Sequence, residues 1–413
     1  MGCCEETLVC KDNIRLRGLN PPAIDIYELE GFVPSVVDEA YLRALDLEVT
    51  PSPETLAGLE RGSRIFAQRL SGRTLIPRPM LRPCSINLDS ELEVHNYTGA
   101  CPTRTFEVSP VRGCYVGCLY CLVSDGSHEQ ELLLYENYPT LVERVLEEHH
   151  EQPYFYYFSA KTEALQEPTL QSGIAHEILR VFIAHFKRHP RSKSRLFVAS
   201  KAGTRQLLYR HSGERVIDLF AQLAGKMQFN TSVSMMPAAL RALLEPYAAP
   251  IHERLAAMTL CQEHGVTANA ALLQPIIPPY LEDEIVEDFF GRLAAVGVVN
   301  VKPEFLTVSM ENLAVIGQLL GHHDRDMERA LYQVYCAPDN ADHKKQRDRT
   351  APDRALSMMW LKRLVSIGRR HGLSTSVCYW LRKELKIPLE LVSIINENGF
   401  QCLGYQTRLF DEG

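Results

Sequence analysis

Between residues 105 and about 307 the chain alternates between two hydrophobic periods. Short runs of apolar, β-branched and aromatic residues, the signature of buried strands, fall at 106–111, 154–159, 196–200, 228–234, 268–273 and 299–306. Stretches with helical spacing lie between them, at 140–149, 173–186, 214–224, 251–264 and 283–296. In the fourth of these, Ile251, Leu255 and Met258 share one face and Cys261 extends the stripe, so that thiol reads as packed in a core. Strand–helix alternation implies a parallel sheet. Six units in place of eight predict an α/β fold, a partial (β/α)6 TIM-type barrel with N- and C-terminal extensions.

The extensions are less regular. Residues 1–104 form an N-terminal extension with helical spacing at 35–45 and 53–70, where Leu56, Leu59, Ile65 and Phe66 recur among charges. Prolines at 77, 79 and 83 then mark a loop or linker. Residues 308–413 form a C-terminal α+β segment, with helical patterns at 311–320 and 355–371 and strand-like pieces at 374–381 and 400–410. The barrel itself spans 105–307.

At 413 residues the chain can bury a large core, and its 46% apolar and 23% charged content is ordinary for a globular protein. A formal net charge of −7 gives no general attraction to nucleic acid or to an anionic membrane. No apolar run approaches the roughly 20 residues a membrane span needs. The start of the chain, Met1-Gly2-Cys3-Cys4-Glu5-Glu6, is acidic and does not read as a signal peptide; Glu6 also departs from the myristoylation pattern. Twelve cysteines without an export signal argue for reduced thiols, metal ligation and a cytoplasmic setting. The basic runs at 188–195 and 343–349 read as solvated loops.

The chemistry concentrates in Cys114-Tyr115-Val116-Gly117-Cys118-Leu119-Tyr120-Cys121, immediately after the first strand of the barrel. Its C-x3-C-x2-C spacing lets three thiolates hold three irons of a [4Fe–4S] cubane and leaves the fourth iron open, the mark of a reactive centre. Gly113 and Gly117 relax the backbone where the thiolates must converge. A single zinc ion is the alternative reading, although Leu122-Val123-Ser124 offers it no fourth ligand. Barrel chemistry sits at the C-terminal ends of strands, which is where this loop falls.

Strand, loop and spacing together resemble the radical S-adenosylmethionine (SAM) superfamily. The resemblance implies a [4Fe–4S] cluster at Cys114, Cys118 and Cys121 whose open iron takes SAM, reductive cleavage of SAM to a 5′-deoxyadenosyl radical, and an electron donor such as flavodoxin, ferredoxin or a partner reductase. The other strand ends are polar, and they carry the types that would hold a carboxylate, a sulfonium and a ribose: Ser159-Ala160-Lys161-Thr162-Glu163, Ser200-Lys201, Ser232-Val233-Ser234 and Gln274. Their order over residues 105–276 resembles the spore photoproduct lyase branch. That likeness places Thr162, Lys201 and Ser232 on the methionine end of SAM and Tyr120 over its adenine. Gln274, as the polar end of strand five, joins the cofactor set, and Arg254, which matches an arginine of the family's fourth helix, is read as structural.

Two departures redirect the substrate. Where that branch has a hydrogen-returning cysteine on strand two, this chain has Ala160, and Leu122 stands where it has a tyrosine. Neither side chain donates a hydrogen atom as a thiol or phenol does. The substrate candidates are polar: Lys161, Glu163, Gln166, Ser234, Gln274, Glu304 and His185. Glu163 and Glu304 are read as the catalytic acid and base, acting on a small polar metabolite such as an amino sugar by abstraction followed by elimination, as in a radical SAM diol dehydratase of aminoglycoside biosynthesis. The alternatives are a nucleic-acid lesion lyase and a zinc-stabilised binding module without turnover. Cys3, Cys4 and Cys10 read as free thiols of a frayed leader, or as second-cluster ligands with Cys84 or Cys101. Cys336, Cys378 and Cys402 lack the paired spacing of an auxiliary cluster.

Overall fold

The computed structural model describes residues 9–12, 32–70, 80–92, 105–121, 131–337, 349–377, 387 and 395. In chain order the first elements are β1 (Val9–Cys10), α1 (Glu39–Arg43), α2 (Pro53–Leu70), β2 (Met80–Ser85), β3 (Thr105–Val108), β4 (Val111–Arg112), β5 (Glu131–Tyr135), α3 (Tyr138–Glu148) and β6 (Phe155–Phe158). Next come α4 (Glu167–Gln171), α5 (Ile174–Arg188), β7 (Arg195–Ser200), α6 (Thr204–Leu207), the hairpin β8 (Arg210–His211) and β9 (Glu214–Arg215), α7 (Val216–Gln222) and β10 (Met227–Val233). The chain continues through α8 (Ala238–Leu244), α9 (Ile251–Glu263), β11 (Ala270–Ile276), α10 (Asp283–Ala295) and β12 (Asn300–Phe305). Last come β13 (Val308–Ser309), α11 (Met310–His323), α12 (Arg325–Tyr335), β14 (Arg349–Thr350), α13 (Arg354–Arg370) and β15 (Ser374–Thr375).

Seven strands pair in parallel in the order β15-β12-β11-β10-β7-β6-β3. Each strand lies beside its predecessor in the chain, so the sheet winds in one direction, as a partial TIM-type barrel does and a doubly wound sheet does not. The six predicted strands are all present within a few residues of their expected ends. The seventh, β15, comes from the segment after residue 307 and pairs with β12 at Asn300↔Ser374.

Strand alternation separates two faces. Phe106, Val108, Tyr156, Phe158, Leu196, Val198, Phe229, Val233, Ala271, Leu273 and Val301 join the main core with residues of α3, α5, α7, α9, α10 and α13. Cys261 is fully buried in that core, as its helical stripe predicted. The opposite face carries Glu107, Tyr157, Phe197, Asn230, Ser232, Leu272, Lys302 and Glu304. Tyr157 and Phe197 form a small apolar patch of their own there, ring centroids 4.8 Å apart. The inner face is therefore largely polar, and a face of that kind suits a polar ligand more than a dry core.

A second core caps the strand ends. It joins Leu42, Leu59 and Phe66 of the N-terminal helices to Leu313, Ile316, Leu331 and Tyr332 of α11 and α12, and it holds Val116, Cys118, Leu119 and Tyr120 of the cysteine loop. Cys336 is buried in the same core, where burial pushes its thiol up to about 12.

Three expectations are corrected. The prolines at 77, 79 and 83 do not all lie in a loop: Pro83 sits within β2, whose register with β5 is Pro83↔Leu134 and whose carbonyl at that residue accepts from Lys11 N at 2.8 Å. A strand tolerates a proline that enters the ladder as an acceptor. The strands β1, β2, β5 and β4 thereby form a separate four-stranded sheet. Cys10 is not a free leader thiol, because antiparallel pairing of β1 with β2 sets it opposite Cys84, Cα atoms 4.1 Å apart, and the two are joined as a disulfide. Residues 109 and 110 interrupt the predicted first strand, and Val111–Arg112 pairs with β5 in the smaller sheet. Cys3, Cys4, Cys101, Cys378, Cys402, Leu122, the run 343–348 and the strand-like piece at 400–410 lie outside the described residues. Among the described residues no helix is long and apolar enough to cross a membrane.

Candidate functional site

The cysteine loop is tied to three other elements. Tyr115 N donates to Gln166 Oε1 after β6 at 2.7 Å, Leu119 N to the carbonyl of Leu244 at the end of α8 at 2.9 Å, and Asn312 Nδ2 of α11 to the Cys121 carbonyl at 3.2 Å. Gly113 and Gly117 have φ of +91° and +66°, the left-handed region the loop needs at both turns. Cys118 is buried, Cys114 and Cys121 are half-buried, and none of the three is in a disulfide. Burial, with Cys121 close by, pushes the Cys114 thiol up to about 12; burial also raises Cys118, against the pull of the Lys201 ammonium.

The two metal readings ask for different ligand arrangements. One tetrahedral zinc ion with bonds of about 2.3 Å holds its sulfurs roughly 3.8 Å apart. Among the described residues, the trio of His, Cys, Asp and Glu ligand atoms lying mutually within 4.8 Å is Glu147, His185 and His189, not the loop cysteines.

Beneath the loop lies a buried charge network that sequence reasoning only partly anticipated. Glu245, just after α8, accepts from the Tyr120 hydroxyl and from Arg254 Nη2, and both Glu245 and Arg254 are fully buried. Arg254 also donates to the Ala249 carbonyl through Nε at 2.6 Å and to the Ser232 carbonyl through Nη1 at 2.9 Å. The predicted structural role of Arg254 is thus visible as a brace joining β10, α8 and α9. Burial opposes ionisation of Glu245, but Arg254 and Lys201 outweigh it and hold the carboxyl below its usual range. Lys201 Nζ lies 5.8 Å from the Tyr120 ring centroid. Burial disfavours its charge, yet Cys118 and Glu245 raise it above the ordinary lysine range. Burial, Cys118 and Glu245 likewise keep the Tyr120 phenol protonated.

Four strand-end hydroxyls are buried without hydrogen-bond partners: Ser159 Oγ, Thr162 Oγ1, Ser232 Oγ and Ser234 Oγ. Arg241 Nη1, on α8, is in the same condition. Buried polar atoms are nearly always satisfied, and although exceptions also occur elsewhere, as at His176, Tyr332 and Tyr335, these five are atoms that a polar ligand could complete. Ser159 also has φ of +55°, a strained conformation for a side chain-bearing residue, at the end of β6.

The two predicted catalytic carboxylates have different partners. Glu163 is buried and accepts three bonds: from Leu165 N at 3.1 Å, Ser200 Oγ at 2.5 Å and Lys201 N at 2.6 Å. It locks the end of β6 to the end of β7 and fixes the Lys201 backbone. Glu304 stands on β12, half-buried, 2.5 Å from Lys302 Nζ. Three strands lie between β6 and β12 in the sheet order. Gln274 lies where the β11–β12 register shifts, and Lys161 reaches back to Glu107 at 3.1 Å on β3. His185 is not at the strand ends: it is buried on α5 against α3, on the outer side of the sheet, because the apolar stripe of α5 turns it there. Glu245 was missed because it lies 125 residues from Tyr120 in sequence and in no recognised pattern.

No family model matches the chain, and no curated protein matches it. Among solved structures, a spore photoproduct lyase variant with bound AdoMet and dinucleoside spore photoproduct is similar at 14% identity and a TM-score of 0.45, over 78% of this chain and 96% of that one. A radical SAM methyltransferase from Sphaerobacter thermophilus is similar at 15% identity and a TM-score of 0.39, over 72% and 69%. Methylornithine synthase is similar at 9% identity and a TM-score of 0.33, over 86% and 84%.

Proposed function

We infer that the chain is a radical SAM enzyme acting on a small polar substrate. The observation that carries this reading is the convergence, at one end of a parallel sheet, of the Cys114, Cys118 and Cys121 thiols with unpartnered buried hydroxyls on the neighbouring strand ends. The donor set fits a [4Fe–4S] cluster, with Cys114, Cys118 and Cys121 as its ligands and SAM on the open iron. When bound, that pair supplies a 5′-deoxyadenosyl radical, given one electron from a flavodoxin, a ferredoxin or another external donor.

The chain's own residues do the rest. Loss of the raised thiol protons accompanies metal binding, and the Lys201 ammonium beside Cys118 offsets the negative charge that follows. Thr162 Oγ1 and Ser232 Oγ, free of protein partners, offer donors to the carboxylate and amine of SAM's methionine end. Tyr120 presents its ring with the hydroxyl anchored on Glu245, so the ring face is held for an adenine. Glu163 acts by positioning, since its three acceptor bonds fix the strand ends. Glu304 and Lys302 place an acid–base pair on the inner face, suited to an amine and hydroxyl of a substrate such as an amino sugar, and Glu304 is the carboxylate we assign to proton transfer in an elimination.

Anaerobically reconstituted protein should hold about four irons and four sulfides per chain and, once reduced, release 5′-deoxyadenosine from SAM. Cys118→Ala should lose both properties. A Cys118→Ala protein that still forms 5′-deoxyadenosine at the wild-type rate refutes the assignment.

A further inference from the structure

A second cluster of metal-ligating side chains lies at the other end of the molecule. Glu147 is on the last turn of α3, His185 on the last turn of α5, and His189 caps α5. Positions 185 and 189 are four apart and share one helix face, which α5 turns toward α3. Glu147 Oε1 is 3.4 Å from His185 Nδ1, and its Oε2 is 3.1 Å from His189 Nε2. The three ligand atoms lie within 4.8 Å of one another. We propose that Glu147, His185 and His189 form a site for a divalent transition metal of the zinc type, independent of the cysteine loop.

Several features of the site suit that ion. Two imidazoles and one carboxylate are a common zinc donor set, with solvent as the fourth ligand. His185 is 1% exposed, so one ligand is fixed in the core; the Glu147 and His189 side chains are 35% and 26% exposed, so the ion has an entry path. Beside them a surface cleft of about 510 Å³, lined in part by His150, His189 and Lys193, leaves room for the fourth ligand. The C-terminal ends of α3 and α5 meet here, and the negative ends of two helix dipoles favour a cation. Arg188 contacts Glu147 Oε1 at 3.2 Å, but it also reaches Glu143 Oε1 at 3.2 Å and so has a partner to retain when an ion displaces it.

Helix C-termini in a β/α unit face the starts of the strands, away from the cysteine loop. The ion would therefore clamp α3 to α5 and take no part in radical chemistry.

The test uses tag-free, full-length protein with its iron–sulfur cluster in place, loaded with one equivalent of Zn²⁺. Zinc-edge X-ray absorption should show nitrogen and oxygen neighbours at about 2.0–2.1 Å with imidazole scattering and no sulfur at about 2.3 Å. His189→Ala and Glu147→Gln should each weaken zinc binding at least about 100-fold with iron content unchanged. Zinc should raise the melting temperature of the wild type and not that of the variants. Sulfur in the zinc shell, equal affinity in the variants, or no saturable binding by the wild type would each overturn the site. Because iron content is read separately, failure here is distinguishable from failure of the radical SAM assignment.

Discussion

The buried pair between Arg254 and Glu245 offers the sharpest test of how the site is held. Arg254→Met leaves a fully buried carboxylate without its guanidinium and strips donors from the carbonyls of Ser232 and Ala249. Breaking a buried ion pair from one side costs about 3–5 kcal/mol. A carbonyl left without a donor adds about 1–3 kcal/mol, part of which water and the methionine chain recover. A net loss of about 4–6 kcal/mol follows, a large share of the roughly 5–15 kcal/mol that holds a native domain. Adding Glu245→Leu removes the orphaned charge, so the double variant should regain about 2 kcal/mol over Arg254→Met alone. Anaerobic urea unfolding followed by circular dichroism measures all four corners of the cycle. Iron content should fall in Arg254→Met as well, since Tyr120 and the Leu119–Leu244 hydrogen bond tie the loop to this network. Effects of the two single substitutions that add within about 0.5 kcal/mol would refute the coupling.

Thr162→Val and Ser232→Ala remove hydroxyls that have no protein partner, so unfolding midpoints should hold or rise while the dissociation constant for SAM, by calorimetry on cluster-loaded protein, rises about 5–10-fold for each. Gly117→Ala forces a side chain onto a φ of +66° and should cost about 1–2 kcal/mol, together with much of the cluster occupancy read from iron analysis. Glu287, on α10, is held below its ordinary value of 4.5 by Arg370 and His371 at the end of α13. Its stabilisation is thus complete above about pH 4.5 and lost as pH falls toward the depressed folded value. Melting temperatures of Glu287→Gln and wild type should therefore converge in acid and separate above that range.

What was legible in the sequence was local. The cysteine loop could be read because its three cysteines sit within eight residues. The barrel strands could be read because runs such as Phe155-Tyr156-Tyr157-Phe158 are too rich in aromatics for most other settings. The strand-end hydroxyls followed once strand order was assumed. By contrast, β15 and β1 are two residues long, which leaves no period to detect, and Pro83 hid β2 by looking like punctuation. The helix α12 was missed because Arg325-Asp326-Met327-Glu328-Arg329 opens it with charges. Glu245 and the Cys10–Cys84 bond depend on contacts 125 and 74 residues apart, and long-range pairing of that kind has no local signature. His185 and His189 did carry a signal, a His-x3-His spacing on an amphipathic helix, but its partner Glu147 lies on another helix.

The two ends of the barrel can be compared on energetic grounds. At the strand starts, Glu147 is met by His185 Nδ1, His189 and Arg188, and one nitrogen, His185 Nε2, is buried without a partner. At the strand ends, four hydroxyls and one guanidinium nitrogen are buried without partners. Each such group costs about 1–3 kcal/mol, so together they approach the whole stability of an ordinary domain. A chain selected for stability alone would place apolar or satisfied residues there. This one instead keeps them around a strained Ser159 and the three-cysteine loop, an arrangement in which satisfying them would add free energy to the binding of a polar ligand. It follows that the ligand-free protein should be least stable at the strand ends. Amide exchange there should slow on adding cluster and SAM, while exchange in α3 and α5 responds to zinc.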